Sequence, residues 1–111
     1  MKRSSLFFFK VANKVYKNFF SLYNPLYFFY KRVTDKEIIE WLSRQIRPGM
    51  MVVDLGGNIG FYSILFSHLV AAHGVVHVFE PDPVNFNHLT ANVKGLKNAR
   101  INNCAVAERR W

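Results

Sequence analysis

The chain has a single cysteine, Cys104, so it has no means of forming an internal disulfide, and its 4 histidines and one thiol show no zinc-like spacing. Both absences favour a reduced compartment over secretion, with the cytoplasm as the default, and no metal is expected. Acidic residues are missing altogether from residues 1–34, which hold Lys2, Arg3, Lys10, Lys14, Lys17, Lys31 and Arg32. That stretch accounts for +7 of the formal net charge of +8, leaving +1 from the 8 basic and 7 acidic residues beyond it. The basic excess is therefore local, which argues against a specific nucleic-acid-binding protein. No apolar run near the start approaches the roughly 20 residues needed to cross a bilayer. Lys10, Lys14 and Lys17 also interrupt the apolar stretch that a secretory signal would need. What is present is a chain of 111 residues, 50% of them hydrophobic, with room for one small core.

Residues 1–33 have a character of their own, with eleven aromatics, no glycine and one proline, Pro25. Phe8, Ala12, Val15, Phe19 and Leu22 recur at helical spacing, which predicts a basic aromatic helical extension. Two readings of it stay open: a helix lying on an anionic membrane surface, as a peripheral contact, or an extension whose aromatics pack against the following domain or another subunit. Stacking on single-stranded nucleic acid ranks below both, because no recognisable binding module accompanies the aromatics.

A domain is expected over residues 34–111. Thr34 with Glu37 three residues later reads as a capping box opening a helix with the stripe Ile38, Ile39, Trp41, Leu42 and Ile46, ended by Arg47-Pro48-Gly49. From there the pattern alternates: apolar Met51 to Leu55, a glycine-rich turn, a helical pattern Ile59 to Ala71, apolar Val75 to Phe79, a helical pattern Pro83 to Lys94, then apolar Ile101 to Ala107. Short apolar runs separated by helices of about three turns predict parallel strands buried on both faces, joined by right-handed crossovers. The expected fold is α/β and Rossmann-like, the first β-α-β-α-β half only, behind a helical N-terminal extension.

The chemistry concentrates at the ends of the first two strands. Asp54-Leu55-Gly56-Gly57-Asn58-Ile59-Gly60 runs from a strand ending in an acid, through a small-residue turn, into a helix, so backbone amides can approach a polar ligand closely. The next strand ends in Phe79-Glu80-Pro81-Asp82, where an acid can accept both hydroxyls of an adenosine ribose. Glycine at positions one, three and six would mark a dinucleotide site, but counting from Gly56 the third position is Asn58 and the sixth is Phe61. Asp54 would repel a pyrophosphate and attract a cation, so S-adenosylmethionine, with its sulfonium and ammonium groups, fits better than NAD. Asp54 also has a plainer role available, as a cap for the turn. His68, His73, His77 and His88 are expected on a helix, a loop, a strand and a second helix, apart from one another, and Cys104 is expected to be small, buried and inert.

Taken together, Pro48-Gly49, Val52 through Ser63, Val78-Phe79-Glu80-Pro81-Asp82-Pro83 and Leu89-Thr90-Ala91-Asn92-Val93 resemble the FkbM family of class I methyltransferases over residues 34–111. The resemblance implies S-adenosylmethionine as cofactor, with its methionine part held by the turn from Asp54 to Gly60 (Gly56, Gly57 and Asn58 included) and its ribose held by Glu80, beside Pro81 and Asp82. It also implies an adenine contact from the end of the third strand, near Asn103, Cys104 and Ala105. The activity implied is methyl transfer to a hydroxyl of a small-molecule, glycan or lipid acceptor, with no residue present assigned as the catalytic base. Because such sheets place the first strand in the middle, the chain reads as the cofactor-binding half of an enzyme, weak in cofactor binding and inactive by itself. The alternatives are a non-catalytic membrane-surface or assembly module and, behind it, a dinucleotide-binding oxidoreductase.

Overall fold

The computed structural model describes residues 3–107. The extreme start with Lys2, and the 108–111 end, lie outside the described residues, as do the side chains of Phe8 and Val15 in the predicted stripe. The chain divides after Ile39 into two compact units.

The first unit is helical. α1 (Arg3–Asn18) and α2 (Phe20–Thr34) are separated only at Phe19, whose φ of −136° and ψ of 56° leave the helical region while its carbonyl accepts from the amides of Leu22 and Tyr23. Aromatic rings mark one ridge across that break: Tyr16 lies edge-on to Phe20 and Tyr23, and Tyr23 stacks on Tyr27 with centroids 5.4 Å apart. Burial, and then the neighbouring Tyr27 hydroxyl, push the Tyr23 phenol above its ordinary pKa. No residue of α2 is fully buried.

Thr34 closes α2 instead of opening the next helix. Its hydroxyl donates to the Tyr30 carbonyl one turn back and to the Asp35 carboxylate. Asp35 then starts α3 (Lys36–Gln45) by accepting the Ile39 amide on its carbonyl, and its carboxylate pairs with Lys31 at 2.6 Å. The threonine hydroxyl donates back to a carbonyl of the preceding turn, a competition with N-capping known for this residue type.

The second unit is the α/β part. β1 (Met51–Leu55), α4 (Phe61–Val70), β2 (Val75–Phe79), α5 (Pro83–Asn92) and β3 (Ala99–Asn102) form a parallel sheet in the order β1-β2-β3, with Val53 opposite His77 and Leu55 opposite Phe79. The Rossmann-like α/β expectation is met. β3 is shorter and earlier than the run from Ile101 suggested, because it pairs with β2 from Ala99 and its last register position is Asn102 opposite Phe79.

Strand alternation decides what is buried. Val76 and Val78 point to one face and, with Val70, Leu89 and Val93, make the fully buried core, against which Ile46, Val52, Ile64, Phe86 and Ile101 pack. On the opposite face β1 is bare, with Met51, Val53 and Leu55 52 to 66% exposed, while Val75, His77 and Phe79 of β2 are half-buried. The expectation of burial on both faces is thus corrected for β1, since within the second unit Val70 of α4 and Leu89 of α5 pack on the Val76 and Val78 side. Asn98 anchors the start of β3 to the end of α4 by donating to the carbonyls of Ser67 and Ala71, with the Ser67 hydroxyl donating back to its side-chain oxygen. Carbonyls at the end of α4 gain a side-chain donor there.

Candidate functional site

All the predicted site residues that the sequence placed on β1 and β2 arrive at the carboxyl ends of those strands, because parallel pairing puts Leu55 beside Phe79 and so the following turns side by side. The glycine turn is tied down directly: the amides of Gly56 and Gly57 both donate to the Phe79 carbonyl, at 2.8 and 3.2 Å. Gly57 has to be glycine for packing, since a Cβ there would lie 2.3 Å from Val78 Cγ1. Gly56 is different. Its φ is +79° and a Cβ would meet nothing within 4 Å, so the turn presents bare backbone to open space. Asn58 also has a positive φ, and Gly60, at +102°, occupies the N-cap of α4.

Glu80 is 3% exposed and has both carboxylate oxygens engaged: Oε1 accepts the Asn58 amide and Oε2 the Asp82 amide, each at 2.8 Å. One buried side chain therefore staples the glycine turn to the turn after β2. Each carboxylate oxygen accepts more than one hydrogen bond, so the staple leaves acceptor capacity over. Asp82 spends its own carboxylate on the Asn85 amide, capping α5 with Pro83 in the first turn. Pro81 and Asp82 are exposed.

Asp54 is half-buried on β1, and its Oδ2 accepts the hydroxyl of the fully buried Ser63 at 2.7 Å. Burial raises the Asp54 pKa, the Ser63 hydrogen bond offsets part of that rise, and the nearby Glu80 charge adds to it. Two carboxylates thus share a poorly hydrated corner under an open backbone turn, an environment that favours a cation over a phosphate.

Beside this corner lies an open cavity of about 200 Å³ lined by Leu55, Gly56, Phe79, Pro81, Cys104, Ala105 and Val106. Small-molecule pockets start at about 300 Å³, so this apolar space suits one flat part of a ligand and not the whole. Ala105 belongs to it, on the loop after β3. Cys104 is exposed on that loop and not buried as expected, because β3 ends two residues before it. Asn103 fastens the loop by donating to the carbonyls of Glu80 and Pro81.

Sequence reasoning passed over two supports: Ser63 under Asp54, and Asn92, whose side-chain amide donates to the Ile59 carbonyl at 2.7 Å and so holds the turn from α5. Their only signal was position inside the quoted motifs. His68 falls on α4, His73 in the following turn, His77 on β2 and His88 on α5. Among the described residues no three metal-ligating side chains gather.

No family model matches the chain. It is 45% identical, over 65 residues, to the 31-O-demethyl-FK506 methyltransferase FkbM of Streptomyces tacrolimicus, which covers 58% of this chain and 25% of that protein. The chain thus spans about a quarter of the length of this curated relative. A solved SAM-dependent methyltransferase from Aquifex aeolicus superposes with a TM-score of 0.52 at 29% identity, over 56% of this chain and 35% of that one. For the fold alone, a structure described as a putative rRNA-methylase from Clostridium thermocellum superposes with a TM-score of 0.59 at 16% identity, over 63% of this chain and 39% of that one. In sequence the chain resembles the FkbM methyltransferase, and its second unit has the Rossmann-like fold of the S-adenosylmethionine-dependent methyltransferases.

Proposed function

We propose that the second unit binds S-adenosylmethionine across the carboxyl ends of β1, β2 and β3, as the cofactor-holding part of an O-methyltransferase acting on a hydroxyl of a small-molecule, glycan or lipid acceptor. The observation that carries the reading is the pairing of Asp54 and Glu80 beneath the open Gly56 turn. A carboxylate whose ionised form is disfavoured by burial and by a like charge gains from a cationic ligand. Choice of oxygen as the acceptor atom follows the FkbM relative, a 31-O-demethyl-FK506 methyltransferase.

The residues fit the cofactor. Gly56 leaves room for close backbone approach, and Asp54 supplies negative charge toward its cationic end. Glu80 retains lone pairs for ribose hydroxyls while holding both turns in register. The cavity at Phe79, Pro81, Ala105 and Val106 matches the size and apolarity of a heteroaromatic ring. When bound, S-adenosylmethionine supplies an electrophilic methyl group on a sulfonium. The protein's part is orientation, and pre-arranged geometry of reactants is worth about 7 to 11 kcal/mol. The hydrogen bonds from Ser63 to Asp54 and from Asn92 to Ile59 keep that geometry in the absence of ligand.

Titration calorimetry of the 111-residue chain tests the reading. S-adenosylmethionine should give heat and NAD none, and affinity should weaken as pH falls and Asp54 takes up a proton. Heat from NAD with none from S-adenosylmethionine would replace the proposal with a dinucleotide-binding one.

A further inference from the structure

α2 carries two apolar stripes, and only one of them is used. Phe20, Tyr23 and Tyr27 are half-buried along the aromatic ridge shared with Tyr16. On another side of the helix Leu22, Leu26, Phe29 and Val33 follow at i, i+4, i+7 and i+11 and so share one face, yet they are 57 to 69% exposed. Phe7 and Val11 are exposed one turn apart on α1, with Lys10 and Lys14 exposed at the same spacing three residues on. Arg32 is exposed beside Val33. Single exposed apolar side chains need no explanation, but a continuous row of four on one helix face does.

Charge identifies the occupant. Residues 1–34 contain seven cations and no acid, and among the described residues the ion pair in this unit, between Lys31 and Asp35, leaves Lys10, Lys14 and Arg32 on the surface. No described helix is long and apolar enough to cross a membrane. A helix with a large aromatic and aliphatic face, flanked by lysine and arginine and too short in apolar run to span, lies in the plane of a membrane surface and is drawn to anionic headgroups. We infer that the first unit docks the protein on anionic lipid surfaces, with Leu22, Leu26, Phe29 and Val33 entering the acyl boundary and Lys10, Lys14 and Arg32 at headgroup level. The inference stands independently of the methyltransferase reading.

The test uses the full 111-residue chain, co-sedimented with vesicles of phosphatidylcholine alone or mixed with phosphatidylserine. The chain should pellet with the mixed vesicles, stay in solution with the neutral ones, and be released by added salt. Leu26→Ser with Phe29→Ser should abolish pelleting. Lys10→Gln, Lys14→Gln and Arg32→Gln should each lower partitioning about fivefold at low salt, the factor that one basic residue near an anionic surface contributes. All five positions are exposed, so circular dichroism of the variants should match that of the parent. Equal pelleting with neutral vesicles would overturn the inference, as would binding unchanged by both sets of substitutions, which would place the contact on the bare face of β1. Loss of a dimer in light scattering by the Leu26 and Phe29 pair, without vesicle binding in the parent, would assign the stripe to a second copy. Tighter binding to a single-stranded oligonucleotide than to mixed vesicles would assign it to nucleic acid.

Discussion

The two units handle the same kinds of residue in opposite ways. In the second, valines and a leucine are fully buried, and the acids sit where backbone amides or a buried hydroxyl hold them. In the first, leucines, phenylalanines and a valine at regular helical spacing stand in solvent beside free-standing cations. A unit whose polar groups are mutually satisfied at strand ends is built to hold a ligand in place. A unit whose apolar groups are laid out in rows on the outside is built to meet a surface. The proposed site and the proposed docking face are therefore separable, and each can be tested without the other.

One residue type in both units gives the sharpest contrast. Leu89 is fully buried against Val76 and Val78, and Leu89→Ala should cost about 2–5 kcal/mol of stability in urea denaturation. Leu26→Ala, at an exposed position, should stay within about 0.5 kcal/mol. Equal losses at both positions would mean that the two units are not packed differently after all.

The smaller effect concerns Asp54, where site and stability pull apart. Its pKa in the fold is raised, so its contribution to stability is fully present below the ordinary carboxylate range and is lost as pH rises through the raised value. Asp54→Asn removes that loss. The variant should therefore melt no higher than the parent in acid but higher at neutral pH, while binding S-adenosylmethionine more weakly. Thermal melts at the two pH values check this, and a lower neutral melting point for the variant would show that the Ser63 hydrogen bond outweighs burial.

Which parts of this were legible in the sequence follows from how local their causes are. The strands at Met51 to Leu55 and Val75 to Phe79, and the cap of α5 by Asp82 with Pro83, depend on neighbours in sequence and could be read directly. The juxtaposition of Asp54 and Glu80 followed from the parallel pairing of two consecutive strands. What escaped depended on register or on competition. The start of β3 at Ala99 is set by pairing with Val76, which no pattern around Ile101 encodes, and the exposure of Cys104 follows from that shift. Thr34 was misplaced because its hydroxyl donates back to the Tyr30 carbonyl of α2, a bond that the Thr34 and Glu37 spacing does not encode. The bare face of Met51, Val53 and Leu55 looks in sequence like any buried strand, since apolar side chains do not record whether something covers them.

The central claim is that the strand ends of the second unit form an S-adenosylmethionine site. Amide NMR of the isotopically labelled 111-residue chain, titrated with S-adenosylhomocysteine, tests it most directly. The account predicts shifts confined to Gly56, Gly57, Asn58, Glu80, Asp82 and Ala105, with α1 and α2 unmoved. Shifts on the first unit alone, or a spectrum unchanged by saturating ligand, would contradict it.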